Sequence, residues 1–152
     1  MSIYDTTLVQ IEQLVNNKDL DRHDILQRIC DVLQNTYQHY DWVGFYLANK
    51  AQKTLHLEAF AGEPTTHDTI PFGKGICGQV AVSNQVFLVP DVTLQNNYIA
   101  CSPAVKSEIV VPLWVNGDNI GQIDIDSHTD NAFSPEDETF LIAVNKLVAQ
   151  LF

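Results

Sequence analysis

The stretch Glu108-Ile109-Val110-Val111-Pro112-Leu113-Trp114-Val115-Asn116-Gly117-Asp118-Asn119-Ile120-Gly121-Gln122-Ile123-Asp124-Ile125-Asp126-Ser127 decides the fold class. Glu108 to Val115 and Gly121 to Ser127 carry strand-forming residues, and Asn116-Gly117-Asp118 between them signals a tight reversal. The pattern predicts an antiparallel hairpin. In its second arm Asp124 and Asp126 alternate with Ile123 and Ile125. A period of two puts both carboxylates on one face and both isoleucines on the other.

Toward the C-terminus, Ser134 reads as an N-cap, followed by Pro135 and a run of acids, the signature of a helix start. The apolar stripe of that helix is Phe140, Leu141, Val144, Leu147, Val148 and Leu151. Toward the N-terminus, Val86 to Val89 reads as a strand ended by Pro90-Asp91. Before it, Ile70-Pro71-Phe72-Gly73-Lys74-Gly75 leads into a short helix from Ile76 to about Ser83, preceded by a loop from Ala61 to Asp68. Trp42 to Leu47 and Thr54 to Phe60 read as strands joined by the polar turn Asn49 to Lys53. Two helices open the chain, with Tyr4, Leu8, Ile11 and Val15 on one and Ile25, Ile29, Val32 and Leu33 on the other. Asn16 to Asp19 separates them, and Asp24 or an earlier aspartate caps the second. Hairpins with helices gathered at both ends predict one α+β domain over residues 1–152. Its N- and C-terminal helices should pack on one face of a central antiparallel sheet. Loops between Gly62 and Lys106 should cover the other face, where a ligand site would form.

Composition narrows the function classes. With 152 residues, 19 Asp+Glu and 8 Lys+Arg, the formal charge is −11, which argues against binding phosphate backbones. No stretch approaches the roughly 20 apolar residues of a membrane span, and no basic-then-apolar secretory leader opens the sequence. Three cysteines in such a chain point to a reducing, cytoplasmic setting and to reactive or buried thiols. Gly73-Lys74-Gly75-Ile76-Cys77-Gly78 is a literal G-x-G-x-x-G, but the helix after it is too short for a nucleotide-binding crossover. Its glycines are expected to permit positive φ or a close backbone approach.

Chemistry concentrates in a few side chains. Cys101 lies in the loop Asn97 to Pro103, and Cys77 opens the short helix, where free N–H groups favour thiolate. Each is either a reactive thiol or a small buried hydrophobe. Cys30 sits on a helix's apolar stripe and reads as core. If Glu108 faces the side of Asp124 and Asp126, three acids converge and one of them keeps its proton near neutral pH. The other reading is a solvated outer face. Trp42, Gly44 and Tyr46 share a face, so the glycine either leaves an open slot between two rings or marks a packing site. Reduction of a sulfoxide would use the whole set. A thiolate attacks sulfur, an acid protonates the departing oxygen, and a second thiol condenses with the sulfenic acid.

Five segments carry a family resemblance. They are Asp41-Trp42-Val43-Gly44-Phe45-Tyr46-Leu47, Ile70 to Gly78, Ile99-Ala100-Cys101, Lys106 to Pro112 and Gly121 to Ser127. In unbroken order they resemble the free methionine-R-sulfoxide reductases, small GAF-domain enzymes. The resemblance implies a GAF fold, usually a homodimer, and reduction of free methionine (R)-sulfoxide recycled by thioredoxin, with no metal or organic cofactor. Position by position, Cys101 matches the nucleophile and Cys77 a second active-site cysteine. Glu108, Asp124 and Asp126 match acids that hold the substrate and protonate the oxygen. Trp42 and Tyr46 match aromatics around its methyl group, and backbone at Ile99 and Ala100 seats its polar end. One position departs. The family's usual third cysteine, commonly the resolving thiol, is His67 here. Either Cys77 or an external thiol then resolves the sulfenic acid, or the chain is a weakly active or inactive module that binds methionine, its sulfoxide or another small molecule.

Overall fold

The structure, a computed structural model, describes residues 1–95 and 104–152. Helix α1, Ile3–Val15, starts at a reciprocal cap in which Ser2 Oγ accepts from the Asp5 N–H and Asp5 accepts from the Ser2 N–H. Helix α2, Arg22–Thr36, is capped by Asp21, which accepts from the Asp24 N–H at 2.9 Å. Strands β1 (Trp42–Asn49), β2 (Thr54–Ala61) and β3 (Thr69–Pro71) precede helix α3, Gly75–Ser83. Strand β4 (Phe87–Val89), a 3-10 turn at Val92–Leu94, and the long strands β5 (Ser107–Val115) and β6 (Asp118–Ser127) follow. Helix α4, Pro135–Val148, has the expected cap, with Ser134 Oγ accepting from the Asp137 N–H.

The six strands form one sheet in the order β3-β2-β1-β6-β5-β4, antiparallel throughout. The alternation read in the sequence sets its two faces. Val43, Phe45, Ile109, Val111, Ile123 and Ile125 are 0% exposed and pack with Ile11, Leu26, Ile29, Leu33, Leu141 and Val144 of α1, α2 and α4. Truncating any one of these isoleucines or leucines to alanine would cost about 2–5 kcal/mol, because the surrounding wall cannot collapse into the gap. Trp42, Tyr46, Val89 and Val110 point the other way, against Ile70, Ile76, Cys77 and Val80. This is the two-sided arrangement expected, and among the described residues of the Gly62 to Lys106 region helix α3 packs on the second face.

Two elements differ from the sequence reading. β3 is a true edge strand, with Thr54, Leu55 and His56 paired to Pro71, Ile70 and Thr69. Three residues are too few to show a period, so only the pairing reveals it. The 3-10 turn escaped for the same reason. The glycines of the G-x-G-x-x-G run are conformational. Gly73 and Gly75 take φ of 86° and 62°, and a Cβ on Gly78 would lie 2.6 Å from the Pro71 carbonyl.

Behind the sheet, Asp137 ties the helices together. It accepts from Tyr40 Oη at 2.6 Å, Tyr4 Oη at 3.2 Å and the Ser134 N–H at 2.9 Å while only 2% exposed. Burial raises its pKa, but those donors and nearby His39 outweigh it, and the carboxyl is held below its ordinary value. The Tyr4 hydroxyl, partly buried beside that charge, is pushed up to about 12.

Candidate active site

Pairing register assembles the site. Trp42 lies opposite Asp126, and Asp126 opposite Glu108, which pairs with Val89. One step along, Gly44 lies opposite Asp124, and Asp124 opposite Val110. Residues paired across strands have Cβ atoms about 5 Å apart, so the three carboxyls converge. They are buried: Glu108 is 5% exposed, Asp124 1% and Asp126 2%. The solvated-face reading is therefore excluded. The isoleucines between the acids are locked in the core, and α3 roofs the acidic side.

Helix α3 delivers Cys77. Gln122, on the same face as Asp124, donates from Nε2 to the Cys77 carbonyl at 3.1 Å and fixes the helix's first turn. The Cys77 thiol donates to Glu108 Oε2 at 3.9 Å. Donor atoms of Cys77, Glu108 and Asp124 all lie within 4.8 Å of one another. From β1, Tyr46 Oη donates to the His67 carbonyl at 2.9 Å and Trp42 Nε1 to the Glu63 carbonyl at 3.0 Å. The loop that carries His67 is thus strapped over the acids.

Electrostatics here follow from desolvation. Burial, then the charges of Asp124 and Asp126, push the Glu108 carboxyl well above the ordinary range. Burial raises Asp124 too, against hydrogen bonds from Glu108 and Cys77 that hold it down. Cys77 overturns one expectation. Its place in the first turn of a helix was read as favouring thiolate, yet burial and then the charges of Asp124 and Glu108 push the thiol well above its usual value. Carboxylates in a dry pocket outweigh half a unit of helix charge. Cys77 is a protonated donor to Glu108.

The slot beside Gly44 is also different from its open reading. Trp42 folds its own six-membered ring across the glycine, so that a Cβ there would lie 2.3 Å from Cη2. The indole stacks on Phe60 at 5.8 Å, with Tyr46 at 6.4 Å. A cavity with room for about one water, roughly 10 Å³, lies between Tyr46, His67, Lys74, Cys77, Glu108 and Asp124. Asp124 Oδ1 and His67 Nδ1 are buried with no hydrogen-bond partner among the described residues.

Cys101, Ile99 and Ala100 lie outside the described residues. The ends of their segment do not. The Val92 N–H donates to the Lys106 carbonyl at 2.9 Å, and the Lys106 N–H to the Ser127 carbonyl at 2.8 Å. The chain is pinned there two residues before Glu108 and one after Asp126. Cys30 is 0% exposed in the core, its thiol raised by burial. Sequence reasoning missed Gln122 and Lys74. The period of two placed Gln122 with the aspartates, and that signal was legible. For Lys74 there was none.

Comparison with known proteins places this scaffold. A family model described as GAF domain matches residues 19–152. A structure of free methionine-R-sulfoxide reductase from Neisseria meningitidis, in complex with its substrate, superposes with a TM-score of 0.91. It shares 35% identity over 98% of this chain and 88% of that one. The type II free methionine-R-sulfoxide reductase of Thermoplasma acidophilum gives a TM-score of 0.78 at 38% identity, over 93% of this chain and 97% of that one. Escherichia coli free methionine-R-sulfoxide reductase is 43% identical over 111 residues, which span 73% of this chain and 64% of that protein. This chain belongs to the GAF domain family and, within it, to the free methionine-R-sulfoxide reductases.

Proposed function

We propose that the chain, as a single GAF domain over residues 1–152, reduces free L-methionine (R)-S-oxide to L-methionine. The observation that carries the reading is the convergence of Glu108, Asp124 and Asp126 with the Cys77 thiol on one buried face of a scaffold shared with enzymes of that name. A GAF fold alone fixes no chemistry. A raised acid next to a thiol supports this one.

In the proposed reaction the Cys101 sulfur attacks the sulfoxide sulfur. Glu108, kept protonated by its surroundings, gives its proton to the sulfoxide oxygen together with Asp126. The oxygen leaves as water, giving a Cys101–methionine thiosulfonium. Water then attacks the Cys101 sulfur, breaks the sulfur–sulfur bond and leaves methionine and a sulfenic acid, so substrate sulfur is reduced by two electrons and cysteine sulfur oxidised by two. The Cys77 thiol then displaces water to form a Cys77–Cys101 disulfide, and an external dithiol, which we take to be thioredoxin, restores both thiols. Trp42 and Tyr46 would border the methyl group, Asp124 and Asp126 the ammonium end, and the backbone at Ile99 and Ala100 the carboxylate. The chemistry calls for no metal or organic cofactor. The charge of −11 weighs against nucleic acid as a partner. Among the described residues no helix is long and apolar enough to cross a membrane. We place the protein in the cytoplasm as a homodimer.

A coupled assay with thioredoxin, thioredoxin reductase and NADPH tests this on separate R and S substrates. Turnover of the R form alone is expected, abolished in Cys101→Ser. Cys77→Ser should release one methionine per chain and then stop. His67 in place of a third cysteine favours one other reading, a binding module without turnover. Saturable binding of the sulfoxide with no methionine released would establish that reading instead.

A further inference from the structure

The small cavity lined by His67, Cys77, Glu108 and Asp124 has a second chemistry that competes with the reductase reaction. Its walls offer a thiol and two carboxylates, which together are a donor set for a tetrahedral zinc-class ion. The geometry is close to that needed. Zinc holds sulfur at about 2.3 Å and oxygen at about 2.0 Å, which sets a tetrahedral S···O spacing of about 3.5 Å. Cys77 Sγ and Glu108 Oε2 stand 3.9 Å apart, and both lie within 4.8 Å of an Asp124 oxygen. Small side-chain adjustments would bring all three into one coordination sphere.

A cluster of acids is not in itself a site, and the independent sign here is two orphaned atoms. Asp124 is 1% exposed and lines the cavity, yet its Oδ1 meets no donor among the described residues. His67 lines the same cavity, and its Nδ1 likewise meets no partner among the described residues. Buried polar atoms are rarely left so, and between turnovers, with no ammonium to meet, the Asp124 oxygen needs another partner. A dication supplies it, and replaces protons as the means of neutralising carboxylates held out of water.

We propose that Cys77, Glu108 and Asp124 form a three-ligand site for a zinc-class divalent cation, with an open fourth position in the cavity that His67 also lines. Occupation releases the Cys77 thiol proton and holds the sulfur as metal thiolate. It also engages the two carboxylates. The same sulfur can then no longer attack a sulfenic acid, so the ion and the thiol chemistry exclude each other. His67, the position where the family usually has a cysteine, lines the same cavity without being one of the three ligands.

The test uses the reduced, metal-free protein titrated with Co²⁺ and then Zn²⁺, read by absorption and calorimetry. One ion per chain is expected, with a thiolate-to-cobalt charge-transfer band that disappears in Cys77→Ser. Zinc affinity should fall at least about tenfold in Asp124→Asn, while Cys101→Ser keeps both band and affinity. Circular dichroism confirms that each variant is folded. The proposal is overturned if no saturable binding occurs at micromolar metal, if Cys77→Ser binds unchanged, or if the band follows Cys101. R-sulfoxide turnover by the metal-free protein, measured in parallel, tests the reductase reading separately.

Discussion

Replacing Gly44 by alanine is the sharpest probe of how the aromatic wall is built. The new Cβ would lie 2.3 Å from Trp42 Cη2 and 2.5 Å from Cζ3, more than 1 Å inside ordinary carbon contact at about 3.5–4.0 Å. The ring cannot yield freely, since Trp42 is 4% exposed, stacked on Phe60 and bonded to the Glu63 carbonyl. If it stays, overpacking costs about 1–3 kcal/mol. If it swings out, it loses a hydrogen bond of about 1 kcal/mol and an aromatic pair of about 0.5–1.5 kcal/mol. Both routes converge on about 2 kcal/mol, a fall of roughly 4–8 °C in Tm for a chain of this size. The second arm of the experiment puts Gly44→Ala into a Trp42→Leu background. There the clash is gone, and alanine should be neutral or stabilising by about 0.5–1 kcal/mol because it restricts the unfolded chain. Thermal unfolding by circular dichroism reads all four proteins. An equal cost in both backgrounds would refute the packing argument, as would a Tm loss below about 1 °C in the parent.

Three further outcomes follow from the electrostatics. Glu108 holds a proton in the folded state that the unfolded chain gives up once pH exceeds the ordinary glutamate value, so this residue destabilises the protein as pH rises through that window. Glu108→Gln should therefore raise Tm at neutral pH while reducing turnover, with the stability gain shrinking on acidification; a gain that grows on acidification would contradict the sign. Cys77 should alkylate slowly at neutral pH and faster in Asp124→Asn, where a charge that opposes its ionisation is removed; mass-spectrometric labelling rates decide this. Asp137→Ala should cost about 2–4 kcal/mol, since it strands the buried hydroxyl of Tyr40 and the partly buried one of Tyr4. Because the Asp137 carboxyl is held below its ordinary value, its stabilisation is present above that value and is lost on acidification, visible as a Tm difference from the parent that narrows in acid.

The resemblance was legible because its segments are the ones that build the site: the strand around Trp42, the Ile70 to Gly78 turn and the two arms of the last hairpin. The protonation of Cys77 was not. A helix start is a local feature, whereas the carboxylates that overrule it come from residues 31 and 47 positions farther along the chain and reach Cys77 only through β5 and β6. Gly44 shows the same limit. Alternation put it on a face with Trp42 and Tyr46, but which way an indole turns is set by Phe60 and Glu63, one on the neighbouring strand and one in the loop after it.

What the linear chain settles alone is periodicity and capping. Ile123 and Ile125 against Asp124 and Asp126, Ser134 before Pro135, and Asn116-Gly117 between two apolar arms depend on bond geometry within a few residues, so they survive without any knowledge of the fold. Only the folded structure decides solvation. Whether two aspartates meet water or a dry cavity depends on α3 crossing the sheet face above them, and it is that exclusion of water, not the presence of the carboxyls, that makes Glu108 an acid and keeps the Cys77 proton in place.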